Sequence, residues 1–425
     1  MAKKLFIFED DKYEQFFPLT YNRPVYELLC GITKIKDKIS SLFPDGEVIL
    51  LCRDYLEKVL KIRTGQKVNE FDIKGEDQIL LINGRILPSP DFSEKVSFSD
   101  EERFFFRGDD MVGWAGRGET LKNLKSSFQA LYVKDQIKLL KSKIDFLEVE
   151  IKMVNYLWGL VSQNSLEIEV DFKRIKPDLD FKNMFEHSEV DDQALIYDVE
   201  KVYIGKGTQI DGQVVLDARK GSIFIEDRVS IQPHTRVVGP CYIGEDSILM
   251  GGKIGGGTSI GPVCRIGGEV EESIFLGYSN KHHEGFLGHS YVGEWVNLGA
   301  LTTNSDLKNN YSSVKVMVNG TLVDSGLIKV GAFIGDHVKT GIGTLLNTGV
   351  SLGFASNLFG GGMIKQKHIP AFIWGSAEKQ EEYQLEKAIE TARMVMKRRN
   401  VELGTDEVNL FKKIFQLTEI ERRKV

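Results

Sequence analysis

From about residue 196 to residue 375 one spacing dominates the chain, an aliphatic residue at every sixth position. Ile225, Ile231, Val237 and Ile243 keep it, and after a one-residue slip Ile248, Ile254, Ile260 and Ile266 resume it. Ile328, Ile334, Thr340, Leu346, Leu352 and Leu358 carry it further, with only Thr340 off-type. Glycine follows the aliphatic position at Gly205, Gly244, Gly255, Gly261, Gly335 and Gly353. A period of six fits neither a helix nor an isolated hairpin. It fits a solenoid in which each hexad is one short strand plus a corner, with the aliphatic side chain stacked inside. Two stretches interrupt the repeat. One is SNKHHEGFLGHS (279–290), which holds three of the chain's seven histidines; the other is LTTNSDLKNNYSSVK (301–315). Segments that leave a rigid solenoid are where function concentrates.

Residues 1–185 have a different texture. KLFIF, EVILL and QILLIN are short apolar runs with polar flanks, the pattern of buried parallel strands. Between the first two, Leu28, Ile32, Ile35, Ile39 and Leu42 trace one face of an amphipathic helix. Strand, helix, strand predicts βαβ units in an open α/β domain. A longer helix is expected around VKDQIKLLKSKIDFLEVEIKMV (133–154). The solenoid domain is placed at 186–375. A helical tail follows at 376–425, its first helix capped by Ser376, and a new helix starts after Gly404 and Thr405. The basic run KRRN (397–400) reads as a solvated helix end.

The totals narrow the function class. With 42% hydrophobic and 27% charged residues this is an ordinary globular composition, and a net charge of −6 argues against a dedicated nucleic-acid binder. No apolar run approaches the ~20 residues of a membrane span. The N-terminal apolar run is too short for a signal peptide. Cys30, Cys52, Cys241 and Cys264 have no metal-type spacing. A cytoplasmic location, without membrane or nucleic-acid partners, is the simplest expectation.

An α/β domain followed by a hexapeptide solenoid resembles the GlmU-like family, bifunctional uridylyltransferase/acetyltransferases, in its divergent branch of sugar nucleotidyltransferases. The likeness covers roughly residues 4–375. It implies a nucleotidyltransferase-like (Rossmann-like) N-terminal domain, a left-handed parallel β-helix, a homotrimer, and acyl transfer from acetyl-CoA to an amino-sugar phosphate or nucleotide sugar. The acetyltransferase half of the family carries H-L-x-Y-L-G-D and then V-N-I-G-A-G-T. HEGFLGH and VNLGALT match, placing His283 on the catalytic histidine, Phe286 on the tyrosine and Asn297 on an active-site asparagine. NSDLKNN places Asn304 on a further asparagine. Lys281 joins these as a substrate-binding residue, and Lys339, in GDHVKT, is the candidate for coenzyme A or a sugar phosphate. Histidine has the pKa that a base near neutral pH needs, and asparagine amides can orient amine and thioester without adding charge. His283, His289 and His337 form a competing zinc set, like that of trimeric hexapeptide-repeat carbonic anhydrases. No tight ligand spacing supports it, and no metal is assigned.

The N-terminal signature is altered. The family reads L-A-A-G-x-G-T-R-L-x-P-L-T-x-x-x-P-K, where this chain has FEDDKYEQFFPLTYNRPV. Asp11 and Tyr13 take the glycine positions, Gln15 the arginine and Val25 the lysine. NGRILP puts Arg85 where the family's magnesium aspartate stands, so Mg2+ is doubtful here. Arg23 and Arg85 then suit the phosphate of a sugar phosphate or nucleotide sugar, or else pair with Glu9, Asp10 or Glu27. Sugar-1-phosphate nucleotidyltransfer and a non-catalytic sugar-nucleotide-binding trimer are the alternative functions.

Overall fold

The computed structural model describes residues 2–119, 141–142 and 145–423 and divides into two compact units. The first comprises residues 1–16, 22–28 and 33–155; the second comprises 17–21, 29–32 and 156–425.

The first unit is built on a seven-stranded sheet. Its strands are β1 (Lys3–Phe8), β2 (Glu47–Leu51), β3 (Lys67–Val68), β4 (Gln78–Asn83), β5 (Arg103–Arg107), β6 (Asp110–Arg117) and β7 (Leu147–Glu148), in the order β3-β2-β1-β4-β6-β5-β7. The three apolar runs are the parallel strands β1, β2 and β4, with Ile7 opposite Leu50 on one side and Ile82 on the other. Residues on both faces of β1 are buried, as expected of a central parallel strand. The helix between β1 and β2 is shorter than its periodicity implies. It spans α1 (Ile35–Ser41), while Leu29–Cys30 and Thr33–Lys34 are strands and Gly31 takes φ +83°. The left-handed turn at Gly31 ends any helix that Leu28 and Ile32 could have joined. A further helix, α2 (Glu57–Thr64), follows β2. Part of the helix expected at 133–154 lies outside the described residues. Its described C-terminal part is extended: Leu147–Glu148 pairs with β5, and Met153 bridges Ile86.

The second unit is the solenoid. Registers of parallel strands stack Ile204, Ile225, Ile243, Ile260, Phe275, Val292, Ile334, Leu352 and Ile369 into one inward column. Two more columns run through Ile210, Ile231, Leu249 and Ile266 and through Leu216, Val237, Ile254, Val270 and Leu287. These side chains form one core, almost all without solvent contact, each worth ~1.5–3 kcal/mol of burial. The stacked columns are the solenoid that the repeat implied, and the α/β domain with a hexapeptide-repeat β-helix is the fold class that the family resemblance implied. The glycines let coils approach: a Cβ on Gly353 would lie 2.2 Å from the Ala371 nitrogen on the next coil.

Two hexad positions are misassigned by the period alone. Leu249, not Ile248, points inward, because the short step falls after it, at the irregularity between Met250 and Lys253. Ile328 is 53% exposed, since the chain has not yet rejoined the helix there. The histidine stretch does not interrupt the coils either, for Lys281 follows Ile266, and Leu287 follows Val270, in the inward columns. The second interruption is real. Val292 pairs with Ile334, and the intervening excursion carries an antiparallel hairpin, Lys315–Val318 with Thr321–Asp324.

Three helices longer than one turn pack on the β-helix among the described residues of this unit. The longest, α3 (Leu157–Ile175), was not anticipated, although its buried residues Leu157, Leu160, Val161, Asn164, Ile168 and Phe172 follow helical spacing. The Asn164 amide donates to the Gly257 carbonyl and the Ser259 hydroxyl, each at 2.9 Å, which satisfies a buried polar group. The other two are α4 (Leu385–Lys397) and α5 (Thr405–Leu417). Ser376 does not cap α4: its hydroxyl accepts from Glu378 and Lys379 in a turn before the strand Gln380–Glu382. Phe411 of α5 packs edge-on against Phe354 and His337 at ring distances of 4.8 and 5.0 Å.

Candidate functional site

One outward column of the β-helix is polar. Register places Arg265, Asn280, Asn297, Lys339 and Asn357 one above another on successive coils. Asn280 donates from Nδ2 to Oδ1 of Asn297 at 3.3 Å. Asn280, Asn297 and Lys339 line a cavity of about 280 Å³ with the rings of Tyr278 and Trp295, stacked at 4.3 Å, and with Arg398 and Arg399 of the α4 end. Arg399 donates to Asn280 Oδ1 at 3.1 Å. The ammonium of Lys339 donates to the Trp295 and His337 carbonyls at 2.6 and 3.0 Å. Burial lowers its pKa to about 7, with Asp336 opposing. Burial and then the Arg399 charge lower the Arg265 pKa in the same neighbourhood. Amides, cations and flat rings in one cavity can hold a phosphate-bearing, ring-containing ligand. Asn297 and Lys339, 42 positions apart in their numbers, are thus brought together. Arg398 is exposed at the cavity's edge, as a solvated helix end would be, whereas Arg399 is half-buried against Asn280, and sequence reasoning missed that contact.

Four other residues assigned to this site behave differently. His283 is exposed at the corner after Asn280, its ring 4.5 Å from that of His282. Burial, followed by the charges of His283 and Arg265, lowers the His282 pKa. Phe286 is half-buried on the outward side of its strand. Lys281 is not available to a substrate. It occupies an inward position, 2% exposed, and its ammonium donates to the carbonyls of Gly267 at 3.0 Å and His283 at 2.8 Å. Burial brings its pKa down to about 8. Asn304 is also internal, stacked on Leu346 in the third column. Its amide donates to the Gly288 carbonyl at 3.0 Å and accepts from the Gly288 N–H at 2.8 Å, so it ties coils together. The motif alignment supplied residue names for these two, whereas strand register decides which way they face.

Within one chain, and among the described residues, His283, His289 and His337 are not grouped as metal ligands. The His337 ring is enclosed by Trp295, Phe354 and Phe411. His289 instead meets acids: Nδ1 is 2.7 Å from Asp306 Oδ2, and Nε2 is 3.5 Å from Glu272 Oε2.

In the first unit, the arginines assigned to phosphate are occupied internally. Arg85 is 1% exposed and forms ion pairs with Asp10 and Asp110, both at 2.7 Å. Its remaining N–H groups donate to the Val154 carbonyl at 3.1 Å and Asn155 Oδ1 at 2.5 Å. Lys12 also pairs with Asp110 at 2.5 Å. Burial opposes ionisation of Asp110, but Arg85 and Lys12 hold its pKa below the usual range. A magnesium ion does not fit between these carboxylates, because the guanidinium already bridges them. Arg23 is buried as well, and its charge, after those of Lys34 and Lys36, holds down the Glu27 pKa against the effect of burial. In place of a glycine cradle, Asp11–Phe16 forms a 3₁₀ turn, and Tyr13 lies under the guanidinium of Arg53 at 3.9 Å. Arg53, unremarked in the sequence, is buried in a pair with Glu9 at 2.8 Å.

The chain joins an α/β domain built on a seven-stranded sheet to a hexapeptide-repeat β-helix. Residues 5–179 match the sugar nucleotidyl transferase family. A bifunctional sugar-1-phosphate nucleotidylyltransferase/acetyltransferase of Sulfurisphaera tokodaii is 38% identical over 98 residues, 23% of this chain and 24% of that protein. The bifunctional protein GlmU of Methanococcus vannielii is 32% identical over 133 residues, 31% of this chain and 30% of that one. The GlmU of Synechococcus elongatus is 29% identical over 199 residues, 43% and 39% of the two chains. The chain thus spans between a quarter and two-fifths of these relatives' lengths. Residues 5–179 are similar to sugar nucleotidyl transferases, and stretches of the chain are similar to GlmU-type bifunctional proteins.

Proposed function

We propose that the chain is a transferase whose β-helix moves the acetyl group of acetyl-CoA to the amine of a sugar phosphate or nucleotide sugar. The observation that carries this reading is the alignment of Asn280, Asn297 and Lys339 on three successive coils, facing Arg398 and Arg399 across one cavity. Lys339 and the arginines suit the phosphates of coenzyme A or of the acceptor, and the stacked Tyr278 and Trp295 suit a flat base. The acceptor amine attacks the thioester carbonyl, the C–S bond breaks, and His283 takes the amine proton as general base. Holding both substrates against one polar column makes the encounter effectively unimolecular.

Nucleotidyltransfer by the first unit is the second reading, favoured by the family match over residues 5–179 and by the bifunctional character of the similar proteins. The closed Asp10–Arg85–Asp110 cluster disfavours its magnesium route. A homotrimer fits the exposed apolar side chains of the last coils, Ile342, Leu345, Phe359 and Met363. A cytoplasmic location fits a chain in which no helix of the described residues is long and apolar enough to cross a membrane. The test is release of free coenzyme A thiol from acetyl-CoA, with a panel of amino-sugar phosphates as acceptors. His283→Ala should lose ~100- to 10,000-fold in rate. Thiol release equal in parent and variant removes His283 from the chemistry. An absence of release across the panel, with ligand-dependent melting shifts intact, favours the binding-only trimer.

A further inference from the structure

We propose that Glu271, His289 and Asp306 form a site for one divalent metal ion of the zinc, cobalt or manganese class. This proposal does not depend on the acyl-transfer reading. The three donors come from three separate passes of the chain. Glu271 ends the strand Arg265–Glu271 and pairs in register with Gly288 on the next coil. His289 follows directly, at a corner with φ +49° that turns its ring out of the core. Asp306 comes from the start of the excursion, two residues after the buried Asn304.

Their ligand atoms lie within 4.8 Å of one another. His289 Nδ1 and Asp306 Oδ2 are 2.7 Å apart, and both side chains are nearly enclosed, 13% and 11% exposed. The local sequence makes room for this. A Cβ on Gly288 would lie 2.7 Å from Asp306 Oδ2, so any larger residue would push the carboxylate away from the imidazole.

Charge favours a cation over a simple hydrogen-bonded pair. One carboxylate is enough to orient a histidine, yet three surround this ring, because Glu272 Oε2 is 3.5 Å from Nε2. The only ammonium paired with them among the described residues is Lys329, 3.9 Å from Glu271 Oε1. With a neutral imidazole, Glu271, Glu272, Asp306 and Lys329 leave a net charge of −2, which a divalent ion would balance. One imidazole nitrogen with carboxylate oxygens suits Zn2+, Co2+ or Mn2+ better than the all-oxygen shells of Ca2+. His289 and Glu272 also line a cavity of about 230 Å³ with Trp158, Ser162 and Lys329. Three protein ligands would leave a coordination position for water or a substrate oxygen.

The test uses the full chain, stripped with a chelator and titrated at neutral pH with Zn2+ by calorimetry and with Co2+ by visible absorption. One ion per chain should bind with a Kd of roughly 1 µM or tighter. Asp306→Asn keeps size and shape and should weaken binding by more than ~100-fold, as should His289→Ala if its circular dichroism matches the parent. His187→Ala, an exposed histidine elsewhere, should change nothing. Binding weaker than ~1 mM in the parent overturns the proposal, as does unchanged binding in Asp306→Asn.

Discussion

Arg85 grips Asp10 side-on, with Nε 2.9 Å from Oδ1 and Nη2 2.7 Å from Oδ2, and each side chain is only 1% exposed. Removing one partner of such a buried pair strands the other charge, which costs ~3–5 kcal/mol. Arg85→Met should therefore lower the urea midpoint strongly, and adding Asp10→Asn should recover part of the loss. A variant with parental stability and weakened sugar-phosphate binding would instead restore Arg85 as a phosphate ligand.

Lys281 gives a prediction with a definite sign. Its folded pKa of about 8 lies below the ordinary lysine value of 10.5, so between these pH values the unfolded chain binds more protons. This residue's contribution to stability should then rise as pH increases from about 8 towards 10.5, and the cost of burying the ammonium is greatest below pH 8. The shift corresponds to roughly 3 kcal/mol. Lys281→Met should flatten that rise relative to the parent and be neutral or stabilising at pH 7. Parallel stability curves for the two proteins between pH 8 and 10 would contradict the assignment.

Lys281 also shows where legibility ends. The solenoid was readable because Ile225, Ile231, Val237 and Ile243 repeat one chemical demand, an aliphatic group in a stacked column. Lys281 and Asn304 sit in the same columns but satisfy their polar atoms on coil carbonyls and amides, so their letters resemble surface residues. Motif likeness singled out Asn297, which lines the cavity, and His283, which does not. Arg399 was not, because only tertiary packing brings the α4 end to Asn280. The His289–Asp306 contact is likewise created by a chain excursion whose path no local pattern specifies.

Asn304→Ala tests the structural role directly. The change leaves the Gly288 N–H buried without its acceptor, at a cost of ~1–3 kcal/mol. Stability should fall by that amount, while the KM for acetyl-CoA stays within about twofold of the parent. A large rise in KM without loss of stability would return Asn304 to the substrate site.

The final prediction concerns Lys339 and its linkage to ligand charge. Its pKa of about 7 in the free protein means the ammonium is only partly protonated at neutral pH. A phosphate entering the cavity beside Asn297 and Arg399 favours the charged form and raises that pKa, so binding takes up a proton. Affinity for coenzyme A should therefore fall as pH rises from 7 to 9, by up to ~10-fold for each unit of pKa shift. Lys339→Met removes the titrating group, so this component of the slope should vanish and affinity should be weaker at pH 6 than in the parent. Arg399→Ala should weaken binding at every pH without altering the slope, because its guanidinium stays protonated throughout. Calorimetric Kd values at pH 6, 7, 8 and 9 for the three proteins separate these outcomes. A parental slope retained in Lys339→Met would assign it to another titrating group and take Lys339 out of the binding site.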